Sequence, residues 1–363
     1  MKVLINRTDS PRETLLSLPM AKLIKEKFPN SKIYFLITEE SLDILKSNPY
    51  VDEIIIYHRS ARFYQKIKEI FSYFREIKPT HYLYVGGGYL PNFIAWLLGI
   101  NFRGGIKSRW HTYLFLNKGI RQKRSMVTMH EMEYNLNLLS PLEINYNYNE
   151  LQSYIPEIFL SQDELENYNN SFDKEIESSL GESNKKFIFV HPSMTLNNLN
   201  WSSRNYARLL LKFEQRFPSK YIYIISHTDK DHVFLQGMKE FLSRKENSHL
   251  ARRLIYLNRK KYGFRFYMAI LTKASLFVGP NSGATQLAAV LGVPVVSIFS
   301  PIKIQSALRW APLSRNRDYV KVLVPDVICG ETKKCSLREC PYYECMGKIE
   351  VEDVFKQALN FLN

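Results

Sequence analysis

Short β-type runs alternate with amphipathic helical stretches along almost the whole chain, and no other feature restricts its fold as much. Residues 2–6 read as a strand, 8–12 as a polar turn and 15–27 as a helix with an apolar stripe. Strand 32–37, helix 39–47, strand 51–57, helix 63–77 and strand 81–85 follow. A Gly86-Gly87-Gly88 loop, an apolar helix at 90–98 and a helix at 129–139 close the first half. Residues 145–183, rich in Asn, Glu, Ser and Tyr, read as a connection. The alternation then resumes with strands at 187–191, 221–226, 254–257, 276–279 and 295–299 and helices at 203–216, 232–242, 264–273, 284–291 and 351–362. Such alternation predicts an α/β fold built on doubly wound parallel sheets. A length of 363 residues suits two domains. The expected division is 1–165, 183–348 and a last helix within 349–363 that could pack back on the N-terminal domain.

The net charge of +15 is unevenly placed. Thirteen Lys and Arg lie between Arg59 and Arg124, against two acids, Glu69 and Glu76. A block of that density attracts nucleic acid, anionic lipid surfaces or phosphorylated glycans. It is also compatible with a plain solvated face. The aromatics within it, Phe63, Tyr64, Phe71, Tyr73 and Phe74, recur at helical spacing and are expected in a core rather than as base-stacking platforms. With no recognition motif for nucleic acid, none is expected as a partner. Arg7, Asp9, Arg12 and Glu13 interrupt any apolar run near the N-terminus, which is therefore not read as a signal peptide. No stretch reaches the roughly 18 apolar residues of a membrane span. A cytoplasmic protein is expected.

Residues 277–289, FVGPNSGATQLAA, carry the most specific local signal. A strand ends in a small, polar, glycine-bearing turn and a helix starts at once. The first amides of that helix and the positive end of its dipole then face the crevice at the strand's C-terminal edge, where a diphosphate would fit. Gly283 would let the backbone approach an oxygen, and Ser282 and Thr285 could add hydroxyl donors. The same residues would equally make an ordinary capped turn.

The stretch VGPNSGATQLAAVLGVPVVSIFSP (278–301) resembles the donor-binding signature of glycosyltransferase family 9, the heptosyltransferases of bacterial lipopolysaccharide core assembly. Further segments resemble the family in the same order: the opening MKVLINRTDSPRETLLSLPMAKLIKEKFPNSKIYFL, then NPYVDEII, HEMEYNLNLL, HPSMTLNNLNWSSRNYARLL and the Cys-rich CSLRECPYYECMGKIEVEDVF. The resemblance implies the GT-B architecture, two Rossmann-like domains facing a central cleft, with the acceptor on the first domain and the nucleotide-sugar on the second. It implies inverting, metal-independent transfer with no cofactor, of heptose from an ADP-sugar in the best-known members. A carboxylate base is expected just after the first strand, where the family has Gly-Asp and this chain has Arg12-Glu13; Glu13 is the candidate base. An acid that only complements a helix dipole is the competing reading of Glu13. Donor candidates are Ser193, Thr195, Asn198, Trp201, Asn281, Ser282, Gly283, Thr285 and Gln286. Acceptor candidates are Arg7, Arg12, Arg59, Arg62, Arg109 and Arg121.

The chain departs from the family pattern where charge would matter. Asn198-Leu199-Asn200 stands where a Lys precedes the Trp, Asn281 where an acid is common and Gln286 where a His is expected. A family cation that offsets leaving-group charge is thereby replaced by neutral donors. Trp201 reads as a core anchor or as a base-stacking residue. Cys329, Cys335, Cys340 and Cys345 cluster at C-x5-C-x4-C-x4-C, without the C-x-x-C knuckle of structural zinc sites; reduced thiols are the default and a structural metal the alternative. Two functions follow. The first is a glycosyltransferase acting on lipopolysaccharide core or a related anionic glycolipid, peripheral at the cytoplasmic face of the inner membrane and held there by charge. The second is a non-catalytic or altered-donor sugar-nucleotide or glycan-binding member of the same fold.

Overall fold

A computed structural model describes all residues except 182–184, 194–198, 330–334, 337–338, 343 and 363. The chain divides into two compact units, Met1–Phe159 and Leu160–Asn363. The first holds strands β1 (Lys2–Arg7), β2 (Lys32–Ile37), β3 (Glu53–Ile56), β4 (His81–Gly86), β5 (Phe102–Lys107) and β6 (Lys118–Arg121). They form one parallel sheet in the order β3-β2-β1-β4-β5-β6. Its helices are α1 (Pro11–Leu15), α2 (Leu18–Lys27), α3 (Leu42–Leu45), α4 (Phe63–Ile77), α5 (Leu90–Leu97), α6 (Trp110–Phe115) and α7 (Glu131–Asn137).

The second unit repeats the plan. Strands β7 (Lys186–Val190), β8 (Tyr221–His227), β9 (Leu254–Asn258), β10 (Ala274–Pro280), β11 (Val295–Ile298) and β12 (Val320–Leu323) pair in parallel as β12-β11-β10-β7-β8-β9. Its helices are α8 (Gln162–Leu180), α9 (Ser203–Arg216), α10 (His232–Leu242), α11 (Ser248–Ala251), α12 (Arg259–Tyr262), α13 (Phe264–Leu271), α14 (Gly283–Val290), α15 (Ala307–Trp310) and α16 (Val351–Leu359). The middle strands are buried along their whole apolar length, as parallel strands covered on both faces must be. In each sheet the order reverses once, between β1 and β4 and between β7 and β10. The crevice beyond the C-terminal ends of such a strand pair is where a doubly wound sheet accepts its ligand.

Several elements differ from expectation for identifiable reasons. The helix expected at 15–27 is two helices, because Pro19 has no N–H to donate back to Leu15 and its ring opposes a continuous turn. β5, β6 and β12 were not expected. β5 contains Gly104-Gly105, and Gly105 has φ +126° with a missing Cβ that would strike the Tyr84 backbone, so close packing on β4 hides the strand's apolar signature. The presumed connection at 145–183 contains the long helix α8, which packs on α13 of the second unit. Its Ser161/Glu164 capping box and left-handed Gly181 stop were present in the sequence. On α4 only Ile70, Phe74 and Ile77 are buried; Phe63, Tyr64 and Tyr73 are exposed, contrary to the core reading.

The last helix, α16, packs in the second unit on α9, with the Phe213 and Phe355 rings 5.5 Å apart. Trp201 locks this corner. It is fully buried, meets the Tyr206 ring edge-on at 4.9 Å and donates from Nε1 to the Ile349 carbonyl at 2.8 Å. That makes it a core anchor and removes it from the donor candidates.

Candidate active site

In the second unit, β10 ends at Pro280 and α14 begins at Gly283, three residues later. Ser282 caps the helix: its Oγ accepts from the Thr285 amide at 3.3 Å and lies 2.9 Å from Thr285 Oγ1. Thr285 Oγ1 in turn donates to the Pro280 carbonyl at 2.5 Å. Both hydroxyls are thus spent inside the turn, and Thr285 is buried. The amides of Gly283 and Ala284, first in the helix, have no intrahelical acceptor by position. They, rather than the hydroxyls, are the donors a phosphate would meet, and Gly283 is exposed. Asn281 is also turned inward, with Nδ2 donating to the Gln305 carbonyl at 2.9 Å. Gln286 is buried, and its Nε2 has no acceptor among the described residues.

The neighbouring strand β7 delivers His191 and Ser193 to the same switch point. His191 Nδ1–H donates to the Ser226 carbonyl at 2.9 Å. Burial first, and then the Arg259 charge, push its pKa down to about 4, so the imidazole is neutral at neutral pH. Buried Ser193 lies beside Asp231. Burial tends to raise that carboxyl, but the Ser193 hydroxyl, the Thr228 amide at 2.6 Å and His191 together hold it below its ordinary value. Thr195 and Asn198 fall outside the described residues.

In the first unit the C-terminal ends of β1 and β4 bring together the loop at 8–10 and the Gly86-Gly87-Gly88 loop. A Cβ on Gly86 would overlap the Asp9 carboxylate, and one on Gly87, at φ +112°, would overlap the Thr8 hydroxyl. Only glycines allow the two loops to approach this closely. Tyr84 donates its hydroxyl to the Gly87 carbonyl at 2.8 Å, and burial pushes its pKa up to about 12. Glu13 lies on α1 one turn beyond this contact. Its carboxylate accepts from the Ser10 hydroxyl and lies 3.6 Å from the Arg12 guanidinium. It is partly shielded, with a side-chain exposure of 19%, which leaves it reachable by a substrate hydroxyl.

Arg7 stands in a different place from the one expected. It is 2% exposed and donates to the Val85 carbonyl at 2.6 Å; its guanidinium lies 3.6 Å from Asp9 and 3.4 Å from Glu131. It braces the loop and is not a surface contact for acceptor phosphate. Glu131 and Arg124, neither of which the sequence singled out, complete this buried ion cluster at the start of α7. The signal was present in HEMEYNLNLL, where an acid occupies a position otherwise facing the core. Asp9, 34% exposed at the end of β1, is a second carboxylate of the site. Arg59 reaches back to donate to the Thr8 and Asp9 carbonyls, and Arg109 to the Gly87 carbonyl at 3.4 Å, so both pin the loops. Arg62 is exposed before α4. Arg121 lines a cavity of about 490 Å³ with Lys123, Met126, Tyr134 and Asn137.

No disulfide joins Cys329, Cys335, Cys340 and Cys345, and Cys345 is buried. Burial, and next the neighbouring Cys335, raise its pKa. Among the described residues no group of His, Cys, Asp or Glu is arranged to hold a metal ion, and no helix is long and apolar enough to cross a membrane.

Two doubly wound sheets, one presenting carboxylates and the other a capped helix N-terminus at its switch point, define a protein of the Rossmann-like, nucleotide-handling class. The family model for glycosyltransferase family 9 (heptosyltransferase) matches residues 91–337, and the chain belongs to that family. It is 23% identical over 326 residues to a putative glycosyltransferase of Haemophilus influenzae, with 86% of each chain covered. It is 21% identical to lipopolysaccharide heptosyltransferase 3 of Escherichia coli, covering 91% of this chain and 96% of that one. Among solved structures, a family 9 glycosyl transferase from Veillonella parvula superposes with a TM-score of 0.79 at 18% identity, over 99% of this chain and 97% of that one. The E. coli ADP-heptose lipopolysaccharide heptosyltransferase II does so with a TM-score of 0.75 at 18% identity, over 100% and 98%. These two likenesses bear out the GT-B fold. The protein is a heptosyltransferase-like glycosyltransferase.

Proposed function

We propose that this enzyme transfers heptose from ADP-heptose, by single displacement with inversion, to a hydroxyl of a lipopolysaccharide core or a related anionic glycolipid at the cytoplasmic face of the inner membrane. The observation that carries the reading is the α14 N-terminus. A Ser282-capped helix leaves the Gly283 and Ala284 amides available at a switch point, where a leaving diphosphate gains hydrogen bonds and the positive end of the dipole. Two solved structures of an E. coli heptosyltransferase, one with ADP and one with ADP-2-deoxy-2-fluoro heptose, support the choice of nucleotide-sugar.

In this reading Glu13 takes the proton of the acceptor hydroxyl as its oxygen attacks the anomeric carbon, and the bond from that carbon to the diphosphate breaks. No metal or cofactor takes part. Backbone amides and the buried Gln286 amide, whose Nε2 has no acceptor among the described residues, disperse the leaving-group charge in place of the family's Lys. Exposed cations, Arg62 and Arg121 among them, attract the phosphorylated acceptor and the anionic leaflet. A thermal-shift panel of ADP-, UDP-, GDP- and CMP-sugars, paired with a transfer assay on deacylated core oligosaccharide, tests the proposal. Selective stabilisation by ADP-heptose with turnover supports it. Stabilisation by another nucleotide-sugar alone, or by none, would remove the donor assignment.

A further inference from the structure

The first unit carries an aromatic surface that none of the chemistry above uses. Helices α5 and α6 lie against one another and leave Trp96, Leu97, Trp110, Tyr113 and Leu114 between 46% and 67% exposed. The patch is continuous: the half-buried Phe115 ring lies 5.6 Å from Trp96 and 6.5 Å from Trp110. Scattered exposed apolar residues are ordinary, but a contiguous aromatic face is costly to hydrate and marks an interaction surface.

The charge around the patch identifies what it meets. From Ile77 to His130 the chain has no Asp or Glu and eight Lys and Arg. Lys107 and Arg109 immediately precede α6, and Lys118 and Arg121 follow it; Arg109, Lys118, Arg121 and Lys123 are exposed. Indole and phenol rings with a polar edge settle at the headgroup level of a bilayer, while Lys and Arg beside them reach lipid phosphates. Leu97 and Leu114, as exposed as the rings, suit acyl chains better than stacked bases. We propose that this face docks on an anionic lipid bilayer, with Trp110 and Leu114, the two most exposed residues of the patch, inserted at the headgroup boundary and the flanking cations on phosphates. This replaces docking by charge alone with docking by charge and insertion. It rests on the acceptor being a membrane glycolipid, yet its test needs neither donor nor turnover, so the two readings fail separately.

The full-length protein is mixed with vesicles of phosphatidylethanolamine and phosphatidylglycerol, or of phosphatidylcholine, and bound protein is separated by flotation. Insertion is read by quenching of tryptophan fluorescence with brominated lipid. Of the four tryptophans, Trp201 and Trp310 are 0% and 9% exposed in the second unit, so quenching reports Trp96 and Trp110. Expected are binding and quenching with anionic vesicles only, and about a tenfold lower partition for Trp110→Ser/Leu114→Ser with unchanged circular dichroism. Lys118→Glu/Arg121→Glu should lose the preference for anionic lipid. Unquenched binding, or a double variant that partitions like the parent, overturns insertion. So does a patch that instead makes dimers in sedimentation velocity, or that binds single-stranded DNA and ignores vesicles.

Discussion

The buried guanidinium of Arg7 lies 3.4 Å from the Glu131 carboxylate, 124 residues away in the chain, and ties the end of β1 to the start of α7. Arg124 shares the same carboxylate, and Asp9 lies 3.6 Å from Arg7, so Glu131 is the acid that the two cations of a nearly dry cluster have in common. Removing Glu131 takes a buried carboxylate from both cations at once, whereas removing Arg124 leaves the Arg7–Glu131 pair intact. Glu131→Ala should therefore cost about 3–5 kcal/mol in urea denaturation, and Arg124→Ala distinctly less. Equal, small losses would show that the cluster is solvated in solution.

Gly86 faces the Asp9 carboxylate across a gap with no room for a methyl group. Gly86→Ala should push the 8–10 loop away from β4 and destabilise the fold by about 1–3 kcal/mol, as overpacking does. Transfer should fall further than stability alone explains, because Ser10, the partner of Glu13, belongs to the same loop. Gly88→Ala is the control: its nearest neighbour to an added Cβ, the Tyr57 hydroxyl, is 3.9 Å away. If both variants behave alike, the contact does not position the site.

What the sequence made legible follows from where the signals are local. Helices at 63–77, 203–216 and 232–242 were read to the residue because periodicity, caps and stops all lie within them. The switch-point turn at 280–283 was legible for the same reason. Long-range packing was not. Gly104-Gly105 looks like a loop until β4 is seen pressing on it, and Arg7 looks like a surface cation until Glu131 is found beside it. Hydroxyls nominated for the donor, Ser282 and Thr285, are consumed by the cap that makes the turn. Residue type suggested ligand contact; only geometry showed that the oxygens were taken.

The folded chain keeps His191 neutral down to about pH 4, whereas an unfolded imidazole protonates near pH 6.5. Between those values the unfolded state binds more protons, so stability falls as pH drops from about 6.5 to about 4. The shift corresponds to roughly 3 kcal/mol at most. His191→Asn, which can still donate to the Ser226 carbonyl, should flatten this part of a pH–stability curve from chemical denaturation. An unchanged slope would mean the imidazole is hydrated in solution.

Two carboxylates sit near the end of β1, and their surroundings separate their roles. Asp9 is paired with the buried Arg7 cation at 3.6 Å; Glu13 is held by the Ser10 hydroxyl and reaches solvent. Glu13→Gln should lower kcat by about 10²–10⁴-fold with donor affinity unchanged, the signature of a lost general base. Asp9→Asn should cost about tenfold or less. Single-turnover assays beside nucleotide-sugar titrations separate the two effects, and the reverse ranking would move the base to Asp9.

The cap at α14 separates a structural hydroxyl from a ligand-binding one. Ser282→Ala removes the acceptor for the Thr285 amide and should cost about 1 kcal/mol, whereas Gly is tolerated at an N-cap within a few tenths. Because Ser282 Oγ is engaged with Thr285, donor contact should run through the Gly283 and Ala284 amides, whose direction depends on the turn and not on the hydroxyl. Ser282→Gly should then recover both stability and nucleotide-sugar affinity to within about twofold of the parent. Ser282→Ala should bind more weakly as the first turn frays. Should Ser282→Gly regain stability yet bind as poorly as Ser282→Ala, the hydroxyl itself contacts the donor, and the turn opens toward its ligand further than the structure shows.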